Sequence, residues 1–115
     1  MGKFKEISAR IKREGKLVYV GKTSDIPPGR GATVRLRNGS EIALLNSGNG
    51  FYAVENFCPH KGYPLVDSKI DRNTLECPFH DWEFNVQNGE CLTKKNCGIE
   101  VFEVIIEDGL IKLRV

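Results

Sequence analysis

Two short stretches constrain this chain more than any others: Cys58-Pro59-His60 and, after sixteen intervening residues, Cys77-Pro78-Phe79-His80. They hold both histidines of the 115-residue chain and two of its four cysteines. Two loops that repeat the order thiol then imidazole, one or two residues apart, read as a metal site, so the fold must bring both loops to one place. A zinc finger usually draws two ligands of one kind from each arm. Here each arm offers one of each kind, which suits a site with two metal centres, one collecting the thiolates and the other the imidazoles. A single zinc, or a metal-free core, is the alternative.

The ligand set matches that of a Rieske [2Fe-2S] centre, and the flanking residues extend the likeness. Cys58-Pro59-His60-Lys61-Gly62-Tyr63-Pro64-Leu65, then Cys77-Pro78-Phe79-His80-Asp81-Trp82-Glu83-Phe84, with Gly89 after the second loop, resemble the Rieske ferredoxin pattern. The resemblance implies one [2Fe-2S] cluster held by Cys58, His60, Cys77 and His80, with the histidines on the outer iron. Two ferric ions, two sulfides and two thiolates sum to a neutral oxidised site that one electron makes singly negative. Four thiolates would oppose that electron, so the histidines raise the potential into a range of about -150 to +300 mV.

The same resemblance places the centre near the low end of that range, at about -150 mV or somewhat higher. High-potential members carry an extra cysteine in each loop, joined as a disulfide, where this chain has Tyr63 and Phe79. They also place hydroxyl donors to sulfur where Trp82 and Phe84 stand, and losing such bonds leaves the reduced charge less stabilised. Asp81 adds a negative charge beside His80, which lowers the potential slightly. Pro59 and Pro78 stiffen the loops, and Gly62 permits a tight approach of backbone to cluster. Trp82, the sole tryptophan, is read as packing that shields the cluster base rather than as an electron relay. Cys91 and Cys97 fall outside the loops, six positions apart, and read as ordinary thiols in a reducing cytosol, with a disulfide or a redox switch as the alternatives.

At 115 residues the chain is expected to be one domain, with residues 1–15 as an amino-terminal extension. No apolar run approaches the roughly 20 residues that span a bilayer, and residues 1–15 lack the apolar core of a signal peptide. The expected location is the cytoplasm, where thiols stay reduced and cysteine points to metal. Net charge is +2, yet residues 1–37 carry +7 and residues 38–115 carry -5. An acidic cluster-bearing part suits docking onto a basic redox partner, and two solvated faces are the plainer reading.

In chain order, Phe4, Ile7 and Ile11 with Gly15 as a stop predict a short amphipathic helix. Leu17 to Lys22 is β-rich, and Asp25-Ile26-Pro27-Pro28-Gly29 breaks the chain. Ala32 to Arg37 and Ser40 to Asn46 flank Asn38-Gly39, which predicts a two-residue hairpin. After a second turn, Phe51 to Glu55 forms a strand leading to the first loop. Leu65 to Asn73 reads as a polar turn region, Thr74 to Glu76 as a strand into the second loop, and Trp82 to Val86 as the strand out of it. Ile99 to Ile106 and Leu110 to Val115 form a last hairpin across Glu107-Asp108-Gly109. Many short strands with regular turns predict an all-β sandwich or barrel. The resemblance adds an antiparallel base built from both ends of the chain, with a cluster-binding subdomain over residues 56–88 inserted in it.

These readings favour a one-electron carrier between a reductase, often a flavoprotein, and a terminal oxygenase or similar acceptor. An oxygenase large subunit would need a few hundred more residues for its catalytic domain. The small subunit of assimilatory nitrite reductase shares the fold but typically lacks the ligands. A zinc-stabilised binding module without a redox role is the alternative from another class. The basic segment Lys3 to Lys22 lacks the stacking platform of a nucleic-acid site. No further histidine or recognisable constellation supports an enzyme acting alone. A monomer that binds neither nucleic acid nor membrane is expected.

Overall fold

The computed structural model describes residues 15–37, 39–58, 62, 64–77, 82–93 and 98–115. The helix expected over Phe4 to Ile11 lies outside them. The described strands are Leu17–Lys22 (β1), Gly31–Arg35 (β2), Glu41–Asn46 (β3), Phe51–Glu55 (β4), Lys69–Asp71 (β5), Thr74–Glu76 (β6), Glu83–Asn85 (β7), Val101–Glu107 (β8) and Leu110–Arg114 (β9). A single 3-10 turn, Thr23–Asp25, follows β1. Six strands form one sheet in the order β1-β9-β8-β4-β3-β2, and β5-β6-β7 form another. Every pairing is antiparallel. Among the described residues no helix is long and apolar enough to cross a membrane.

The sequence of β3 explains how the two sheets are joined. Ile42-Ala43-Leu44-Leu45 has no polar residue at alternate places, so a strand built from it must be covered on both faces. Ile42 and Leu44 pack into one core with Ala53, Phe102, Ile111 and Leu113. Ala43 and Leu45 pack into a second core with Val54, Leu65, Leu75 and Phe84. β4 divides in the same way, Ala53 to the first core and Val54 to the second. The central strands are therefore a wall shared by the six-stranded base and the layer holding the small sheet. Tyr52 ties the two together at the rim: its hydroxyl donates to Asn73 Oδ1 at 3.0 Å across the β5–β6 turn.

Two turns and one strand differ from expectation. The Leu36 N–H donates to Ser40 O at 2.8 Å and the Gly39 N–H to Leu36 O at 2.9 Å. Three residues, not two, thus separate the paired Leu36 and Ser40, with Gly39 in the left-handed region at φ 90. This is the pattern of a three-residue hairpin with glycine at its last position. The two-residue turn occurs instead in the last hairpin, where Glu107 pairs with Leu110 and Asp108 and Gly109 take φ 53 and 75. Both central residues at positive φ make it a type I′ turn, matched to the strand twist. Finally, the polar region from Leu65 to Asn73 contains β5, which pairs with β6 through Ile70 and Leu75.

Candidate metal centre

Each loop grows from a strand of a different sheet. The first leaves β4 at Glu55. Asn56 then accepts the Leu65 N–H at its backbone oxygen, and Phe57 bridges to Pro64. The loop returns beside its own start. Within it the Gly62 N–H donates to Cys58 O at 2.7 Å, with Gly62 at φ 75, a tight turn that glycine adopts without Cβ strain. The second loop is the tip of the β6–β7 hairpin: Glu76 pairs with Glu83, and the Cys77 N–H donates to Trp82 O at 2.7 Å. Residues 90–93 lie against its outgoing strand, through the Leu92 N–H to Glu83 O at 2.7 Å and the Glu83 N–H to Thr93 Oγ1 at 2.9 Å.

Cys58 and Cys77, 1% and 0% exposed, belong to the same buried core. Leu65 and Phe84 are fully buried in that core, and Trp82 is half-buried against it. Gly62 and Pro64 are exposed. His60 and His80, with Pro59, Tyr63, Pro78, Phe79 and Asp81, lie outside the described residues, as does Cys97. Cys91 is a buried thiol of the same core, bridged to Phe84. Among the described residues no three His, Cys, Asp or Glu side chains are grouped to hold a metal.

The donor chemistry fits an iron-sulfur cluster. Thiolates are soft ligands suited to such centres. An apolar shell of Leu65, Leu75 and Phe84 accepts a group of zero net charge far more readily than a bare cation, and the cluster with two thiolates is neutral when oxidised.

Sequence reasoning passed over Asn56, a buried polar residue 2% exposed. Its Oδ1 accepts the N–H groups of Leu65 at 3.1 Å and Val66 at 3.0 Å, and its Nδ2 donates to Glu41 Oε1 at 3.0 Å. The only signal was an amide between the end of an apolar strand and the first cysteine.

Known proteins resemble this one in both sequence and shape. The profile of the Rieske [2Fe-2S] domain matches residues 16–103. Ferredoxin CarAc of Metapseudomonas resinovorans is 33% identical over 87 residues, covering 75% of this chain and 81% of the relative. The ferredoxin component of the naphthalene 1,2-dioxygenase/salicylate 5-hydroxylase systems of a Ralstonia species is 34% identical over 91 residues, covering 78% and 86%. A chain from the complex of reduced oxygenase and oxidized ferredoxin in carbazole 1,9a-dioxygenase superposes with a TM-score of 0.75 at 30% identity, over 88% of this chain and 94% of that one. The chain belongs to the Rieske [2Fe-2S] domain family, and its cofactor is one [2Fe-2S] cluster. The zinc-stabilised module is thereby set aside.

Proposed function

We propose that this protein is a one-electron carrier that takes electrons from a reductase, such as a flavoprotein, and delivers them to a terminal oxygenase or similar acceptor. The observation that carries the proposal is the burial of Cys58 and Cys77 in one apolar core at the bases of two loops. The relatives named as ferredoxin components of oxygenase systems support it. Cys58 and Cys77 would hold one iron of the cluster and His60 and His80 the other. When bound, the cluster accepts and releases a single electron.

The chain's own residues supply the setting for that exchange. Leu65, Leu75 and Phe84 exclude water from the thiolate side, while the main-chain bonds from Gly62 to Cys58 and from Cys77 to Trp82 fix the sulfur-bearing backbone. Neither Trp82 nor Phe84 has a hydroxyl to donate to sulfur, which supports a potential near the low end of the Rieske range. Residues 56–88 act as a cluster-binding subdomain on the six-stranded base, and residues 1–15 are an extension. The protein works in the cytoplasm as a monomer, and catalysis belongs to its partner.

Iron, zinc and acid-labile sulfide should be measured per chain on anaerobically purified protein, with optical spectra before and after reduction. The expected result is about two irons and two sulfides, with a visible band that bleaches reversibly. About one zinc and no sulfide would overturn the proposal. For the ligand set, His60→Ala should abolish or strongly alter the spectrum; an unchanged spectrum removes His60 from it.

A further inference from the structure

The hydrogen bonds of Asn56 lock the amide in one orientation. Two N–H donors, of Leu65 and Val66, face one end of it, and a carboxylate oxygen of Glu41 faces the other. Oxygen must therefore point to the loop and nitrogen to Glu41. The main chain doubles the link, since the Asn56 N–H donates to Glu41 O at 3.1 Å. The second oxygen of Glu41, Oε2, accepts from Arg35 Nη2 at 2.6 Å, directly across the β2–β3 pair. A continuous relay thus runs from an exposed guanidinium, through a carboxylate with 18% side-chain exposure, to a buried amide that closes the loop carrying Cys58.

We propose that Asn56 is a positioning residue for the metal centre: it sets the span of the first ligand loop, and Glu41, held by Arg35, sets the orientation of Asn56. The proposal rests on the reading that Cys58 is a cluster ligand. Residues 56 and 65–66 are the two ends of that loop, so a side chain joining them fixes the distance the loop must cover. Ligand positions tolerate only about half an ångström of error, and the Asn56 side chain ties both ends of the loop. The alternatives of similar size fail for separate reasons. An aspartate keeps both acceptors but sets a carboxylate against that of Glu41. A leucine leaves two N–H groups and a carboxylate oxygen without that partner in a buried place.

A paired exchange tests this on the iron- and sulfide-loaded protein. The readouts are the rate at which an iron chelator bleaches the visible band and the g values of the reduced cluster in electron paramagnetic resonance. Asn56→Asp should bleach about ten to a hundred times faster than wild type, the range found when the outer partners of metal ligands are removed, and should shift the g values. Adding Glu41→Gln reverses the amide and carboxylate and should return the rate to within about threefold of wild type, with the g values restored. If Asn56→Asp lowers only the unfolding midpoint and leaves rate and g values at wild type, or if the double variant is no better than the single, the proposal fails. Should Asn56→Asp not fold, Glu41→Ala takes its place: it removes the acceptor from outside the loop and should speed bleaching about three- to tenfold, and an unchanged rate overturns the proposal. Wild-type protein without iron and sulfide instead overturns the reading beneath it, and is recognised before any variant is made.

Discussion

Replacing Gly89 by alanine separates two costs that glycine substitutions usually mix. Gly89 has φ 80 and Gly39 has φ 90, so alanine at either carries the left-handed penalty of about 1–2 kcal/mol. At Gly39 nothing lies within 4 Å of the added Cβ, and the cost ends there. At Gly89 that atom would sit 2.0 Å from the backbone oxygen of Ile99 and 3.3 Å from Val101 Cγ1. The carbonyl must therefore move. Ile99 also donates its N–H to Gly89 O at 2.9 Å, and its side chain, 7% exposed, is part of the core that holds Cys58 and Cys77. Losing that bond costs about 1 kcal/mol and shifting a packed core residue about 1–3 kcal/mol, for a total of about 3–6 kcal/mol. At about 4 °C per kcal/mol for a domain of this size, Gly89→Ala should lower the unfolding midpoint by about 12–24 °C, and Gly39→Ala by about 4–8 °C. Thermal unfolding followed by circular dichroism, with both variants in the same cofactor state, reads the difference. If Gly89→Ala falls no further than Gly39→Ala, the close approach of residues 89 and 99 is not a constraint and the reasoning is wrong.

The bond between the two sheets has a smaller effect. Tyr52→Phe removes the 3.0 Å hydrogen bond to Asn73 and should cost about 1 kcal/mol in urea unfolding, with the reduction potential unmoved; a changed potential would mean that the rim contact reaches the metal centre. Phe84→Tyr does the opposite: it adds a hydroxyl donor inside the core shared with Cys58 and Cys77. Potentiometric titration should show a higher potential, at a cost of about 1–3 kcal/mol in stability from overpacking, and an unchanged or lower potential would refute the proposed link between missing hydroxyl donors and a low potential.

Much of the fold could be read from the chain because its signals are local. Leu17–Lys22 and Phe51–Glu55 occupy the expected strands, and Cys58 and Cys77, from the two loops, belong to one buried core. The failures have a common physical origin in pairing partners distant in sequence. Asn38-Gly39 announced a turn correctly, but its width depends on the register of β2 against β3, which sets Arg35 opposite Glu41. β5 offers Ile70 as its sole apolar residue and becomes a strand because Leu75 and Phe84 continue its row across β6 and β7. Asn56 has no motif at all. Its role emerges only when Glu41, fifteen residues earlier, is brought beneath it by the β3–β4 pairing.

The pairing of β1 with β9 brings Lys16 and Val115 together, and the two exchange both backbone hydrogen bonds, at 3.0 and 2.9 Å. A chain gripped at these two points and pulled would load that end of the ladder first and open it one rung at a time, like a zipper, instead of shearing all rungs together. Mechanical failure would therefore begin at the β1–β9 seam, while β4, which leads into the Cys58 loop, lies beyond β8 on the other side.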